Sequence, residues 1–232
     1  MTAIIVSRFI TVVIVGYLLG SIPFGVMIGK RFANVDVRNY GSGKMGTTNV
    51  LRVAGKKAAA LVALCDVLKG ASAVMFTWLI FKGQYMLVMG SISWWLIRIA
   101  PVAAALAAMI GHNWPIFLKF RGGRGVATFF GGLAALCPTV ALLGGEVLFL
   151  GAGLTRFASL ASISAAVATY TVIVSLTILN GFPIEYLAYA LIGTIAIIVT
   201  HRDNIARLLA GKERRLDEKV EAVAPSSKKN PR

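Results

Sequence analysis

The chain has 232 residues, of which 57% are hydrophobic and 14% charged, and its mean hydropathy is +0.78. Soluble domains are roughly 45–50% apolar and ~25% charged, so a soluble fold is excluded and a polytopic, all-α membrane bundle is implied. The net charge of +15 would otherwise suggest a nucleic-acid partner, but there is no soluble domain to carry such a basic surface.

In chain order, a charge-free run from Phe9 to Gly29 predicts a first span over 9–29. It is too long for a cleaved signal and more spans follow it. Residues 30–57 then hold seven basic residues against one acid, Asp36. Within them lies GSGKMGTTNVLR, Gly41 to Arg52. A nucleotide-binding P-loop needs G-x-x-x-x-G-K-[ST]. With Gly43-Lys44 in register, Met45 stands where the magnesium-binding hydroxyl belongs and Arg38 where the first glycine belongs, so ATP is excluded. The loop still suits an anion: Gly41, Gly43 and Gly46 allow close backbone approach, Ser42, Thr47, Thr48 and Asn49 are neutral hydrogen-bonding groups, and Arg52 is a forked cation. The alternative is a glycine-rich turn whose cations only set topology.

A second span is predicted over 58–81, with Asp66 and Lys69 near one end. Ionisable groups there are costly; the two form an intrahelical ion pair, or Lys69 reaches a substrate phosphate. Segment 84–111, interrupted by Arg98 and Pro101, reads as an outer loop with interfacial Trp94-Trp95, followed by a third span. Next comes GHNWPIFLKFRGGRGVAT, 111–128. It repeats the grammar of the first loop: Arg121, Gly122, Gly123, Arg124 and Gly125 lead to Thr128 at a helix start. Topology signals need charge but not glycine, so two such loops point to an anion site. The plain alternative leaves His112 an interfacial histidine, with Trp114 and Phe117 as belt aromatics.

Apolar stretches over 126–155, 157–179 and 184–200 complete the bundle. Lys and Arg collect in cytoplasmic loops, which places all three basic clusters on one side. An even number of crossings must then separate 112–125 from the tail, so one of these stretches is two short helices or fails to cross. Five or seven crossings with the N-terminus outside and the C-terminus cytoplasmic both satisfy the rule. His201, Asn204 and Arg207 follow the last span at helical spacing. Residues 1–213 form one domain, and 214–232 a basic, disordered tail. Cys65 and Cys137, without partners at ligand spacing, are packing residues.

Several chemistries are missing. Neither histidine has an aspartate five residues on, there is no Gly-x-Ser-x-Gly elbow, and no acidic cluster is suited to a metal. A site made of amides, hydroxyls and cations holds phosphates and stabilises an oxyanion, but it is poor in general bases.

Together, Gly41–Arg52, Gly111–Thr128 and His201–Glu213 resemble the three motifs of the bacterial acyl-phosphate:glycerol-3-phosphate acyltransferases, the PlsY family. Ser21-Ile-Pro-Phe-Gly25 and Asp66-x-x-Lys69-Gly70 are similar to further family patterns. The resemblance implies seven helices with the motifs converging on the cytoplasmic side. It assigns catalytic roles to Ser42, Arg52, His201 and Asn204. It assigns substrate binding to Gly41, Gly43, Thr48, Asn49, Lys69, His112, Arg121, Gly122, Gly123, Arg124, Gly125, Thr128, Arg207 and Glu213. Lys44 stands for the family's Asn, Thr47 for its Ala, and Arg121 and Arg124 for its Lys. The implied reaction is direct attack of the glycerol 3-phosphate hydroxyl on acyl phosphate, giving lysophosphatidic acid with the acyl chain lying among the helices. It calls for no cofactor, metal or obligate protein partner beyond the lipid bilayer. The rival reading, a transporter of an organic phosphate or anionic lipid, predicts paired broken helices in related halves, and the sequence has no internal repeat.

Overall fold

The computed structural model describes residues 2–82 and 92–218. Among them the chain forms helices only: α1 (Thr2–Ser21), α2 (Phe24–Ala33), α3 (Thr47–Ile80), α4 (Ile92–Asn113), α5 (Val126–Leu136), α6 (Pro138–Thr155), α7 (Ala158–Asn180), α8 (Ile184–Thr200) and α9 (Arg202–Leu209). Taking α1 with α2 as one, five are long and apolar enough to cross a bilayer, and the α8–α9 pair, bent by 60°, makes a sixth.

The helix boundaries differ from the expected spans for identifiable reasons. The first helix begins at Thr2 and breaks at Ile22-Pro23, where the proline lacks an N–H and constrains the residue before it. The second begins at Thr47, so the GSGKMGTTNVLR motif runs into the helix itself. It is interrupted at Gly55, whose φ of 83° and ψ of 178° suit only glycine. Trp94, Trp95, Arg98 and Pro101 all lie within α4, not in an outer loop. Arg98 is tolerated there because its Nε lies 2.7 Å from Glu185 of α8 and its guanidinium stacks 4.5 Å from the Trp94 ring. The rest of the expected outer loop, 83–91, falls outside the described residues.

The stretch 126–155 is two helices. Pro138 opens α6 at a first-turn position that needs no N–H donor. Of the helices after the second loop, α6, α7 and the bent α8–α9 pair are candidate spans, and α5 is a shorter apolar helix. With α5 included, the bundle has seven apolar segments, although its 11 residues span only ~16 Å.

Small residues set the closest approaches. A β-carbon at Gly16 or Gly20 would strike the carbonyls of Ala104 and Ala108, and one at Gly70 or Gly131 those of Thr128 and Val67. These contacts bring α1 against α4 and α3 against α5 nearly backbone to backbone, as small-residue membrane interfaces do. A larger core of Phe129, Phe130, Leu133, Ile173, Tyr189 and Ile197 joins α5, α7 and α8, and the Tyr189 hydroxyl donates to the Phe129 carbonyl at 2.8 Å. Residues 214–218 continue against this body, and the expected tail beyond them, 219–232, lies outside the described residues.

Candidate active site

A cavity of about 950 Å³ opens where the two loops and α9 meet. Three helices begin at its wall. Gly46, Thr47 and Thr48 at the start of α3, Gly125 and Val126 at the start of α5, and His201 and Asn204 at the start of α9 all line it. None of the three N-termini has a side-chain cap. Their free amides and aligned dipoles favour an anion.

Five cations, Lys44, Arg52, Arg124, Arg207 and Arg214, line the same end. Arg124 is mostly buried, and desolvation, reinforced by Arg207, pulls its pKa down to about 10. It therefore remains charged at neutral pH. Its Nε is buried with no hydrogen-bond partner among the described residues. Burial lowers the Lys44 ammonium as well, with Arg124 adding to the effect. Arg207 Nε donates to Glu213 at 2.9 Å and Asn204 Nδ2 to its other oxygen at 2.7 Å, so one carboxylate fixes both. Arg52 donates to the carbonyls of Arg214 and Arg215 at 3.1 and 2.7 Å.

His201 sits at the α8–α9 bend, 2% exposed. Its Nδ1 lies 2.8 Å from the Ile197 carbonyl. A carbonyl only accepts, so Nδ1 carries the proton and Nε2 is the ring's free acceptor. Away from this polar end the lining turns apolar, with Ala134, Ala141, Leu142, Phe149 and Leu150 from α5 and α6. The cavity thus joins a cationic head to a hydrocarbon groove.

Of the residues singled out in the sequence, Ser42, Thr48, Asn49, Arg52, His112, Arg124, Gly125, His201, Asn204, Arg207 and Glu213 meet at this cavity. Asn49 is an organiser: its Nδ2 donates to the carbonyls of Val37, Tyr40 and Lys44, and its Oδ1 accepts the Ser42 amide at 3.1 Å. Lys69 stands outside the cavity lining, with Nζ 2.9 Å from Asp66 and 3.3 Å from the Ile22 carbonyl. Of the two readings of Lys69, the structure has the ion pair.

The second-loop glycines correct the expectation of amides aimed at a ligand. Gly122 and Gly123 donate theirs to the carbonyls of Asn113 and His112 at 3.2 and 3.0 Å. A β-carbon on Gly123 would run into the His112 ring. These two are glycine because the loop packs flat on the end of α4, and His112 is buried beneath it with Nδ1 3.5 Å from Asp66. Thr128 is buried where α5 meets α3. Gly41 and Gly43, with φ of 57° and 67°, shape the first turn and lie outside the lining. Arg121 does not reach the cavity either; it lines a separate cleft.

Lys44 and Asp66 also line the cavity, as do Glu146 and Leu216, which the sequence did not single out. Half-buried in the first turn, Lys44 feels the charges of Arg124 in the second loop and of Arg202 and Asp203 on α9, a neighbourhood that no local pattern records.

The sequence model of the family described as Glycerol-3-phosphate acyltransferase matches residues 10–211. A protein from Dehalococcoides mccartyi named Glycerol-3-phosphate acyltransferase 3 is 56% identical over 93% of this chain and 99% of its own. A Glycerol-3-phosphate acyltransferase from Rubrobacter xylanophilus is 40% identical over 89% of this chain and 94% of its own. The crystal structure of PlsY, an integral membrane glycerol 3-phosphate acyltransferase, in its glycerol 3-phosphate form superposes with a TM-score of 0.75 at 38% identity, covering 89% of this chain and 94% of that one. Its lysophosphatidic acid form superposes with a TM-score of 0.73. The chain thus belongs to the glycerol-3-phosphate acyltransferase family of integral membrane proteins represented by PlsY.

Proposed function

We propose that the protein transfers the acyl group of an acyl phosphate to the sn-1 hydroxyl of glycerol 3-phosphate, releasing lysophosphatidic acid and inorganic phosphate. The observation that carries this reading is the two-ended cavity, with three helix N-termini and five cations at one end and an apolar groove at the other. Both reactants bear phosphate and one bears a hydrocarbon chain, so the cavity complements the pair. The PlsY structures in glycerol 3-phosphate and lysophosphatidic acid forms support the acceptor and the product.

The hydroxyl oxygen attacks the acyl carbonyl carbon, the bond from that carbon to the phosphate oxygen breaks, and phosphate departs with the electron pair. Phosphate is already a good leaving group, so no acyl-enzyme forms. Arg124, Lys44 and the α3 and α5 N-termini hold the phosphates and the developing oxyanion. Juxtaposing the two substrates can supply ~7–11 kcal/mol of the barrier. The hydroxyl proton passes to a substrate phosphate oxygen, with His201 Nε2 orienting the hydroxyl as an acceptor. Ser42 and Asn204 complete the polar wall. The reaction takes place on the cytoplasmic face of the bacterial cytoplasmic membrane, where the basic loops gather, and requires no cofactor or protein partner.

Purified protein supplied with acyl phosphate and radiolabelled glycerol 3-phosphate, without ATP or coenzyme A, is expected to form labelled lysophosphatidic acid. Absence of product would refute the proposal, and glycerol 3-phosphate counterflow in liposomes without product would favour transport instead. His201→Ala is expected to lower kcat, and Arg52→Ala to raise KM for a phosphorylated substrate, each by roughly 10–100-fold, the value of one or two charge-assisted hydrogen bonds.

A further inference from the structure

Arg121 carries a charge that the reaction cavity does not use. It lines a second cleft of about 540 Å³ with Arg38, Phe117, Leu118 and Lys119, so the cleft draws on both basic loops. Arg38 is already neutralised: its Nη2 lies 2.7 Å from Asp36, whose carboxyl this contact holds below the usual range. Lys119 and Arg121 are exposed and have no carboxylate partner among the described residues.

The apolar side of this segment is equally unpaired. Trp114, Ile116, Phe117 and Phe120 are exposed, Phe117 by 60% and Phe120 by 58%. Cations alternating with exposed aromatics at the end of a spanning helix form the pattern of a membrane–water interface. The backbone is held for it at a cost. Lys119 and Phe120, neither of them glycine, both occupy the left-handed region, with φ of 52° and 61°. Their amides donate to the carbonyls of Ile116 and Pro115, so the turn is fixed rather than frayed.

We propose that this cleft is a headgroup site for an anionic phospholipid of the surrounding bilayer, separate from the reaction cavity. The lipid phosphodiester lies between Lys119 and Arg121, with Phe117 and its aromatic neighbours among the first carbons of the acyl chains. A zwitterionic headgroup would bring its own cation against these two, so the site discriminates by charge. The bound lipid seats the 114–121 segment at the interface, directly before the glycine loop that closes on His112.

The test uses the full chain with Trp78, Trp94 and Trp95 changed to Phe, leaving Trp114 as the reporter. The protein is placed in phosphatidylcholine vesicles containing either brominated phosphatidylglycerol or brominated phosphatidylcholine at equal mole fraction. The proposal expects at least twofold stronger quenching of Trp114 by the anionic lipid. Lys119→Glu should abolish the preference and Lys119→Arg should keep it. Excess inorganic phosphate should leave the quenching unchanged, since a phosphate site would be displaced. Equal quenching by both lipids, an unaltered preference in Lys119→Glu, or displacement by phosphate each overturns it. Circular dichroism and Trp114 emission in phosphatidylcholine alone serve as the folding control.

Discussion

Asn49 makes four hydrogen bonds to the first loop, three as donor and one as acceptor, whereas the buried Arg124 Nε has no hydrogen-bond partner among the described residues. The two show how one motif grammar divides into polar groups that the protein satisfies and polar groups that it leaves unpaired. The division has a pH consequence. A phosphate monoester gains its second charge near pH 6, while Arg124, pulled down to about 10, stays charged well above neutrality. KM for glycerol 3-phosphate should therefore fall as pH rises through ~6, stay flat near neutrality and rise again as pH passes about 10. Arg124 loses its proton there, and with it the attraction. Steady-state kinetics across this range check the profile, and Arg124→Gln should remove the alkaline limb along with most of the affinity.

At the scale of elements, glycine acts as a spacer more often than as a hinge. The second loop lies flat on α4 because Gly122 and Gly123 have no side chain to hold it off. Gly123→Ala is expected to displace the His112 ring or lift the loop, shifting Arg124. Because the α5 N-terminus moves with the loop, kcat/KM should fall by roughly 10-fold or more, the scale of a misplaced charged donor. Thermal stability should drop by ~1–3 kcal/mol, typical of an overpacked site. A variant with unchanged activity and melting temperature would contradict this account. The motif's glycines were legible in the sequence, but their purpose was not. R-G-G-R reads equally well as a phosphate cradle or as a close-packed turn, and only the position of His112 beneath it separates the two.

At the scale of the whole molecule, the residues just after α9 tie the polar end of the cavity together. Glu213 ties Asn204 and Arg207 together, Arg52 is held by the carbonyls of Arg214 and Arg215, and the Leu216 amide donates to the Arg156 carbonyl at 2.8 Å. Truncation after Glu218 should leave the kinetics unchanged. Truncation after Gly211 should free Arg52, Arg207 and Asn204 together and lower kcat/KM by roughly 10-fold or more, as loss of a charge-assisted network does. Equal activity of the two truncations, assayed at matched protein levels, would show that the strap has no part in catalysis.

Amino-acid order alone was enough to establish a membrane bundle and to single out the three segments that meet at the cavity. Apolar run length, basic clustering and glycine spacing are local properties that survive without a fold. Tertiary structure decided how those segments divide the work. Lys69 and Asn49 turned inward to pair with groups already in the protein, and Arg121 faced a different cleft. Lys44, a departure from the family's motif, came to line the cavity. Which polar groups are satisfied by the protein, and which are left for a ligand, depends on neighbours up to 163 residues away in the chain, and no local pattern encodes that.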